Sequence, residues 1–263
     1  MTTIQTIFRF EVGDALRSRW LILHFLLFLL LTEGLLLASG FSDKALVSLI
    51  NVVLLLVPLI SLVFGVIHQY NAREFVELLL TQPVRRRDLF AGLLAGIGVP
   101  MTLSFVLGVF LPFAWHGGLD PTQGARLFAL LGLGSVLTLT CISVAVAVSI
   151  RQTDRIRGIG LALFLWLAYA VLFDGAIMLS VVLLDHWPIE QAMIVVMLLN
   201  PVDIIRLVLL QVFDAAAMMG YTGAVFTRFF EDSMGYAVAA TALAFWLILP
   251  TWLARRAFLR KDF

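Results

Sequence analysis

Charged residues are scarce: Asp, Glu, Lys and Arg make up 13% of the 263 residues, while hydrophobic residues make up 62%. Ordinary globular chains are about half apolar and about a quarter charged. With a mean hydropathy of +1.03, the chain lacks the polar cover that a water-exposed surface needs, which excludes a soluble domain. Cysteine is all but missing. Cys141 stands alone, so it forms no internal disulfide and fits no zinc or redox spacing. Lysine is confined to Lys44 and Lys261. No G-x-x-x-x-G-K-[ST] phosphate loop is present, which excludes ATP hydrolysis by that route. Neither a G-x-S-x-G nucleophile elbow nor an H-E-x-x-H zinc helix occurs. A net charge of +1 supplies no dominant basic field, so nucleic acid is not an expected partner. Eight prolines and nineteen glycines exclude a low-complexity or collagen-like chain.

What the chain holds instead is long apolar runs. A helix crosses the hydrocarbon core with about 20 mostly apolar residues. Such runs cover 20–39, 45–66, 89–115, 127–150, 158–184 and 236–252. A seventh stretch, 189–213, is cut by Asn200, Pro201, Asp203 and Arg206 into pieces too short to span. No period of 20–50 residues repeats, so a solenoid is excluded. Lys and Arg of short loops stay on the cytoplasmic side, and this sets the orientation. Arg9, Arg17 and Arg19 precede the first run, and Arg73, Arg85, Arg86 and Arg87 follow the second. Arg151, Arg155 and Arg157 follow the fourth; Arg255, Arg256, Arg260 and Lys261 follow the last. Fourteen of the eighteen basic residues thus share one side, with Lys44, Arg126, Arg206 and Arg228 on the other. Six crossings with both termini cytoplasmic satisfy this pattern, whereas a seventh would put the basic tail outside. The first run is expected to be retained, because Glu11 and Asp14 suit the n-region of a cleaved signal peptide poorly.

Residues 70–90 read YNAREFVELLLTQPVRRRDLF. Glu74 and Glu77 lie three apart beside Leu78, Leu79 and Leu80, the pattern of a short amphipathic helix. Pro83 stops it, because proline lacks the amide and clashes with the preceding turn. Arg85, Arg86 and Arg87 then sit at the membrane surface. Spacing alone leaves two readings open: a helix lying on the bilayer in a basic loop, or a helix that docks a cytoplasmic partner.

ELLLTQPVRRRDL resembles the coupling-helix signature of ABC-type exporter permeases of the type 2 family, an E-L-L-L-x-x-P-x-x-R-R run between the second and third crossings. FEVGDALRSRW near the N-terminus is similar to their interfacial elbow helix. LLNPVDIIRL at 198–207, with MGYTGAVF at 219–226, resembles the NosY-like branch, whose members serve the copper-processing transporter of nitrous-oxide reductase maturation. One departure stands out. Many relatives place a glycine before the coupling leucines, where this chain has Arg73-Glu74-Phe75-Val76.

The resemblance implies a single transmembrane permease domain over 1–263, an all-α integral membrane protein of the bacterial inner membrane. Its parts would be an elbow helix at 1–19, six transmembrane helices, a cytoplasmic coupling segment at 70–88 and outer interfacial helices within 185–235. It implies a non-catalytic subunit with no cofactor of its own, ATP and Mg being bound by a separate ABC ATPase. A permease homodimer, a periplasmic accessory protein and membrane lipid are the other expected partners. Docking on the ATPase would fall to Arg73, Glu74, Phe75, Glu77, Leu78, Leu79 and Pro83. Phe75, Leu78 and Leu79 are the expected apolar knobs, and Glu74 and Glu77 the orienting charges. Two alternatives stay open: an ABC exporter of a lipid, drug or polysaccharide, and an intramembrane enzyme or electron carrier.

Glu33 and Asp174 fall inside crossings, about 21 Å from Arg19 and about 26 Å from Arg157 at 1.5 Å per residue. Intramembrane carboxyls face protein or a wet cavity, so they either line an outward-opening gate or hydrogen-bond between helices. Asn200 can cap a helix with Pro201 at its first position and Asp203 near its positive end. Asp203, Arg206, Gln211 and Asp214 share one face of that helix, giving an outer interfacial helix. Asn200, Pro201, Asp203 and Arg206 are then a candidate surface for an extracytoplasmic partner. Met193 and Met197 at i,i+4, with Met218 and Met219, could suit Cu(I). Methionine is also an ordinary filler of apolar helices, and no metal site is assigned. His24, His68, His116 and His186 are too scattered for a paired haem site. Gly92 and Gly96 could seat a neighbouring helix.

Overall fold

The computed structural model describes residues 12–13, 18–39, 43–116, 121–183, 195–214 and 233–261. The elbow helix (beyond Val12 and Gly13), Met193, Met218, Met219, His186 and the 219–226 motif lie outside the described residues. Every described regular element is helical. The order is α1 (Arg19–Ser39), α2 (Asp43–Asn71), α3 (Arg73–Leu80), α4 (Arg86–Trp115) and α5 (Pro121–Arg151). Next come α6 (Arg155–Leu167), a π-helical turn (Ala168–Leu172), α7 (Phe173–Leu183), α8 (Pro201–Val212) and α9 (Ser233–Arg260). Six helical spans are long and apolar enough to cross a membrane, the fifth running through α6 and the π turn into α7. They coincide with the six runs read from the sequence.

Local chemistry sets the boundaries. Asp154 caps α6, its Oδ1 accepting from the Ile156 amide at 2.8 Å. Asn200 caps α8 by accepting from the Val202 amide at 3.0 Å, with Pro201 next in line; both satisfy amides that lack an intrahelical partner. Pro58, Pro100, Pro112 and Pro250 lie inside spans, which neighbouring helices allow in membrane proteins.

Packing runs α2 on α5, α1 on α4 and α9 on α5. Phe28 and Phe105, both fully buried, meet edge to face at 5.2 Å. Gly134 of α5 makes room for Phe105, since a Cβ there would stand 2.5 Å from Cζ. Gly108 lets α4 approach α1, where an added Cβ would be 2.9 Å from the Phe25 carbonyl oxygen. Gly92 and Gly96 are buried as well.

Hydrogen bonds gather the helix ends into two groups. At the basic end, Tyr70 Oη donates to the Gln152 carbonyl at 2.9 Å. Arg86 Nη1 donates to the carbonyls of Leu259 and Lys261 at 3.3 and 3.0 Å, and Lys261 Nζ to that of Ile150 at 2.9 Å. At the opposite end, Glu33 meets His116, and Arg126 meets Asp214.

One expectation is corrected here. α8 does not lie on the outer surface with a polar face in water; it is inserted among α2, α5, α9 and the π turn. Asn200, Val202 and Ile205 are fully buried and Asp203 is 1% exposed. Apolar residues occur almost all round this helix, and Asn200, Asp203 and Arg206 bond one another, the π turn or Asp174 just after it, so most of the side read as wet is covered.

Candidate functional site

At the basic end, α3 stands as one short helix between two spans. It begins after Ala72 and ends at Leu80, where Thr81 donates its side-chain hydroxyl to the Leu78 carbonyl at 2.8 Å; Pro83 follows, as its sequence position implied. At 100° per residue, Val76, Leu79 and Leu80 fall within an arc of about 100° centred near Val76. Val76 is 4% exposed, and Leu79 and Leu80 pack with it on the apolar cluster that holds Leu21, Phe64, Phe90 and Phe258. Leu78 points the other way and is 61% exposed, flanked by exposed Glu74 and half-buried Phe75. The expected knob set therefore loses Leu79, because that residue anchors the helix to its own chain. Val76 does the same and was not singled out, although its i, i+3 and i+4 relation to Leu79 and Leu80 was readable.

Glu77 also turns to its own chain, pairing with Arg73 at 3.0 Å one helical turn away. Beneath Arg73 and Val76 is a cavity of about 30 Å³ whose far wall is Ile150, Phe258 and Lys261. Burial and the Arg73 charge push the Lys261 ammonium pKa down, partly offset by Glu77. Of the three arginines, Arg86 hydrogen-bonds the carbonyl end of α9, the end of a helix where cations are favoured. Arg85, at the N-cap of α4, and Arg87 are exposed.

The opposite end carries the remaining predicted residues. Asn200 Nδ2 donates to the Tyr169 carbonyl in the π turn at 2.7 Å and to Asp203 Oδ2 at 2.8 Å. Arg206 Nη1 reaches both carboxylate oxygens of Asp174 at 2.6 Å and stands 3.0 Å from Asp203 Oδ1. Burial pushes the Asp203 carboxyl pKa up to about 7; Arg206 opposes this and the nearby Asp174 charge reinforces it. Asn200, Pro201 and Asp203 are buried within the chain, so they do not form the partner surface read from the sequence. Glu33 accepts from Trp115 Nε1 at 3.2 Å and faces His116 Nε2 at 2.7 Å. Both intramembrane carboxyls are thus bonded between elements. Their partners lie 32 to 83 residues away, beyond the reach of any local pattern. His24 meets Ser104 at 2.9 Å instead of another histidine.

Comparison with known proteins bears on the whole chain. Residues 5–263 match the family described as ABC-2 family transporter protein. A probable ABC transporter permease protein NosY of Pseudomonas aeruginosa is 31% identical over 272 residues, covering 96% of this chain and 94% of the relative. A protein of the same description from Stutzerimonas stutzeri is 26% identical over 270 residues, with the same coverage. Six membrane-length helices, a short helix hung between the second and third, and a match across nearly every residue agree, and the chain belongs to the ABC-2 family of transporter permeases.

Proposed function

We propose that this chain is the membrane-spanning subunit that couples a separate ATPase to work across the bacterial inner membrane, in the copper-site maturation of nitrous-oxide reductase. The observation that carries the coupling part is α3: a helix anchored inward by Val76 and Leu79, with Leu78 held outward at 61% exposure. A docking element needs such an anchor, because a helix loose at its base would transmit no displacement. The basic end of the bundle faces the cytoplasm by the positive-inside rule, which puts both termini and α3 on the ATP side. ATP and Mg belong to the partner, since this sequence carries no phosphate loop. Two copies of the chain pair with two ATPase subunits; the fifth span, almost uncovered by its own chain, offers apolar surface for pairing. The copper role rests on the likeness to NosY-like permeases. A periplasmic accessory protein follows from the same likeness, on residues other than Asn200, Pro201 and Asp203.

Co-purification of a tagged ATPase with chain variants tests the docking. A fully covered leucine contributes about 1.5–3 kcal/mol, so Leu78→Asp should lower ATPase capture about tenfold or more. Glu74→Gln should change it little, because an exposed ion pair is worth at most about 1 kcal/mol. Full capture by Leu78→Asp would remove α3 from the interface. Copper content of nitrous-oxide reductase in cells lacking the chain tests the maturation role: an undiminished content favours an exporter of another cargo.

A further inference from the structure

Between α4, α5 and α9 runs a groove of about 720 Å³. Ala91, Ala95 and Gly98 form its floor along α4, and Leu247, Ile248 and Trp252 of α9 form one wall. Its two hydroxyls are already engaged, Thr251 Oγ1 donating to Ser143 Oγ at 2.9 Å and Ser143 donating to the Leu139 carbonyl. The depth of the groove therefore asks for an apolar occupant. The mouth differs. Arg87 and Arg255 line it, both are exposed, and neither forms an ion pair among the described residues. Arg256 stacks over the Trp252 ring at 5.3 Å beside them, and tryptophan favours the headgroup level of a bilayer.

We propose that this groove holds one anionic phospholipid of the leaflet at the basic end, with its phosphate on Arg87 and Arg255 and an acyl chain along the floor. Dimensions agree. From Arg87 to Val99 α4 rises about 18 Å at 1.5 Å per residue, and half a hydrocarbon core is about 15 Å. Free phosphate would satisfy the arginines but leave the apolar length uncovered. A second copy of the chain is disfavoured by symmetry, since a two-fold contact sets a patch against itself and would bring two pairs of arginines together. The site is independent of cargo and of ATPase docking.

Native mass spectrometry of the full chain, titrated with dioleoyl-phosphatidylglycerol or dioleoyl-phosphatidylcholine, reads the site. The wild type should retain the anionic lipid about tenfold or more over the zwitterionic one, given the pull of two arginines. Arg87→Gln with Arg255→Gln should bring phosphatidylglycerol down to the phosphatidylcholine level, while Arg85→Gln, outside the groove, should keep the preference. Ala95→Trp should lower retention of both lipids about tenfold by filling the floor. The arginine pair is exposed, so its test stands even where Ala95→Trp fails to fold. Preference retained by the double variant, or lost equally in Arg85→Gln, overturns the site. So does chain-to-chain crosslinking through Ala95→Cys in a Cys141→Ala background, which would assign the groove to a second copy.

Discussion

Arg206 Nη1 stands 2.6 Å from each carboxylate oxygen of Asp174, thirty-two residues earlier in the chain. Asp203 Oδ1 lies 3.0 Å from the same nitrogen, so one guanidinium serves two acids. This cluster joins α8 to the fifth span just after its π turn, and Asn200 adds a second tie to the Tyr169 carbonyl within that turn. α8 is therefore fastened to a place where the helical ladder is locally widened.

Removing the arginine should cost more than removing either acid. Arg206→Met leaves two carboxylates facing each other, and breaking a buried pair costs about 3–5 kcal/mol. Asp174 is 40% exposed, which lowers the expectation toward about 2 kcal/mol, since exposed pairs contribute at most about 1. Asp174→Asn leaves a neutral Asp203–Arg206 pair and should cost about half as much. Thermal unfolding in detergent checks the order; equal losses would mean that the acids do not share the cation.

The Asp203 carboxyl gives the fold a pH dependence of definite sign. Burial raises its pKa on folding, from the ordinary 3.8 to about 7, so the folded chain binds more protons than the unfolded chain between those limits. Stability then falls as pH rises through that window. Relative to Asp203→Asn, the parent should lose melting temperature between pH 5 and pH 8. The same pH profile in parent and variant would contradict the assignment.

Glycines make a packing prediction with a built-in control. Gly134→Ala would drive a methyl into the Phe105 ring, which is itself fixed against Phe28. Overpacking of a filled core costs about 1–3 kcal/mol. Gly132, two residues earlier on the same helix, has nothing within 4 Å of an added Cβ. Gly132→Ala should be neutral or stabilising, as alanine favours helix over glycine by about 1 kcal/mol. Equal destabilisation of both variants would mean that the glycines act through helix propensity or lipid and not through Phe105.

The six spans were legible because length and hydropathy alone set them. The cap at Asn200 and Pro201 was legible for the same local reason. What escaped was phase and partnership. Leu78 and Leu79 look alike in sequence, and only the anchoring of Val76 on the cluster around Phe258 shows which leucine turns outward. Asp203 on a helix of mixed polarity reads as a wet face until Arg206 and Asn200 are seen to meet its carboxyl. Arg86 reads as a headgroup contact until the end of α9 is found beside it.

That end of α9 leads to the final prediction, which separates docking from coupling. Lys261 Nζ holds the Ile150 carbonyl at the end of α5, while Arg86, at the start of α4, holds the Lys261 carbonyl. Lys261 also walls the cavity under Arg73 and Val76. Lys261 thus ties the ends of α4 and α5 together across the cavity from the base of α3, beside the apolar contact of Val76 with Phe258. Hydrogen bonds from charged groups contribute about 1.5–3 kcal/mol, reduced here by partial exposure. Lys261→Met should accordingly leave the chain folded and the outward Leu78 face unchanged, so ATPase capture stays at the parental level. Displacement of α3 would then pass to the spans less completely, and stimulation of ATP hydrolysis by the assembled transporter should fall several-fold. Lys261→Arg keeps the cation and should retain most of the coupling. Capture lost together with hydrolysis would make Lys261 part of the docking surface instead, and hydrolysis unchanged in Lys261→Met would remove the clasp from the coupling route.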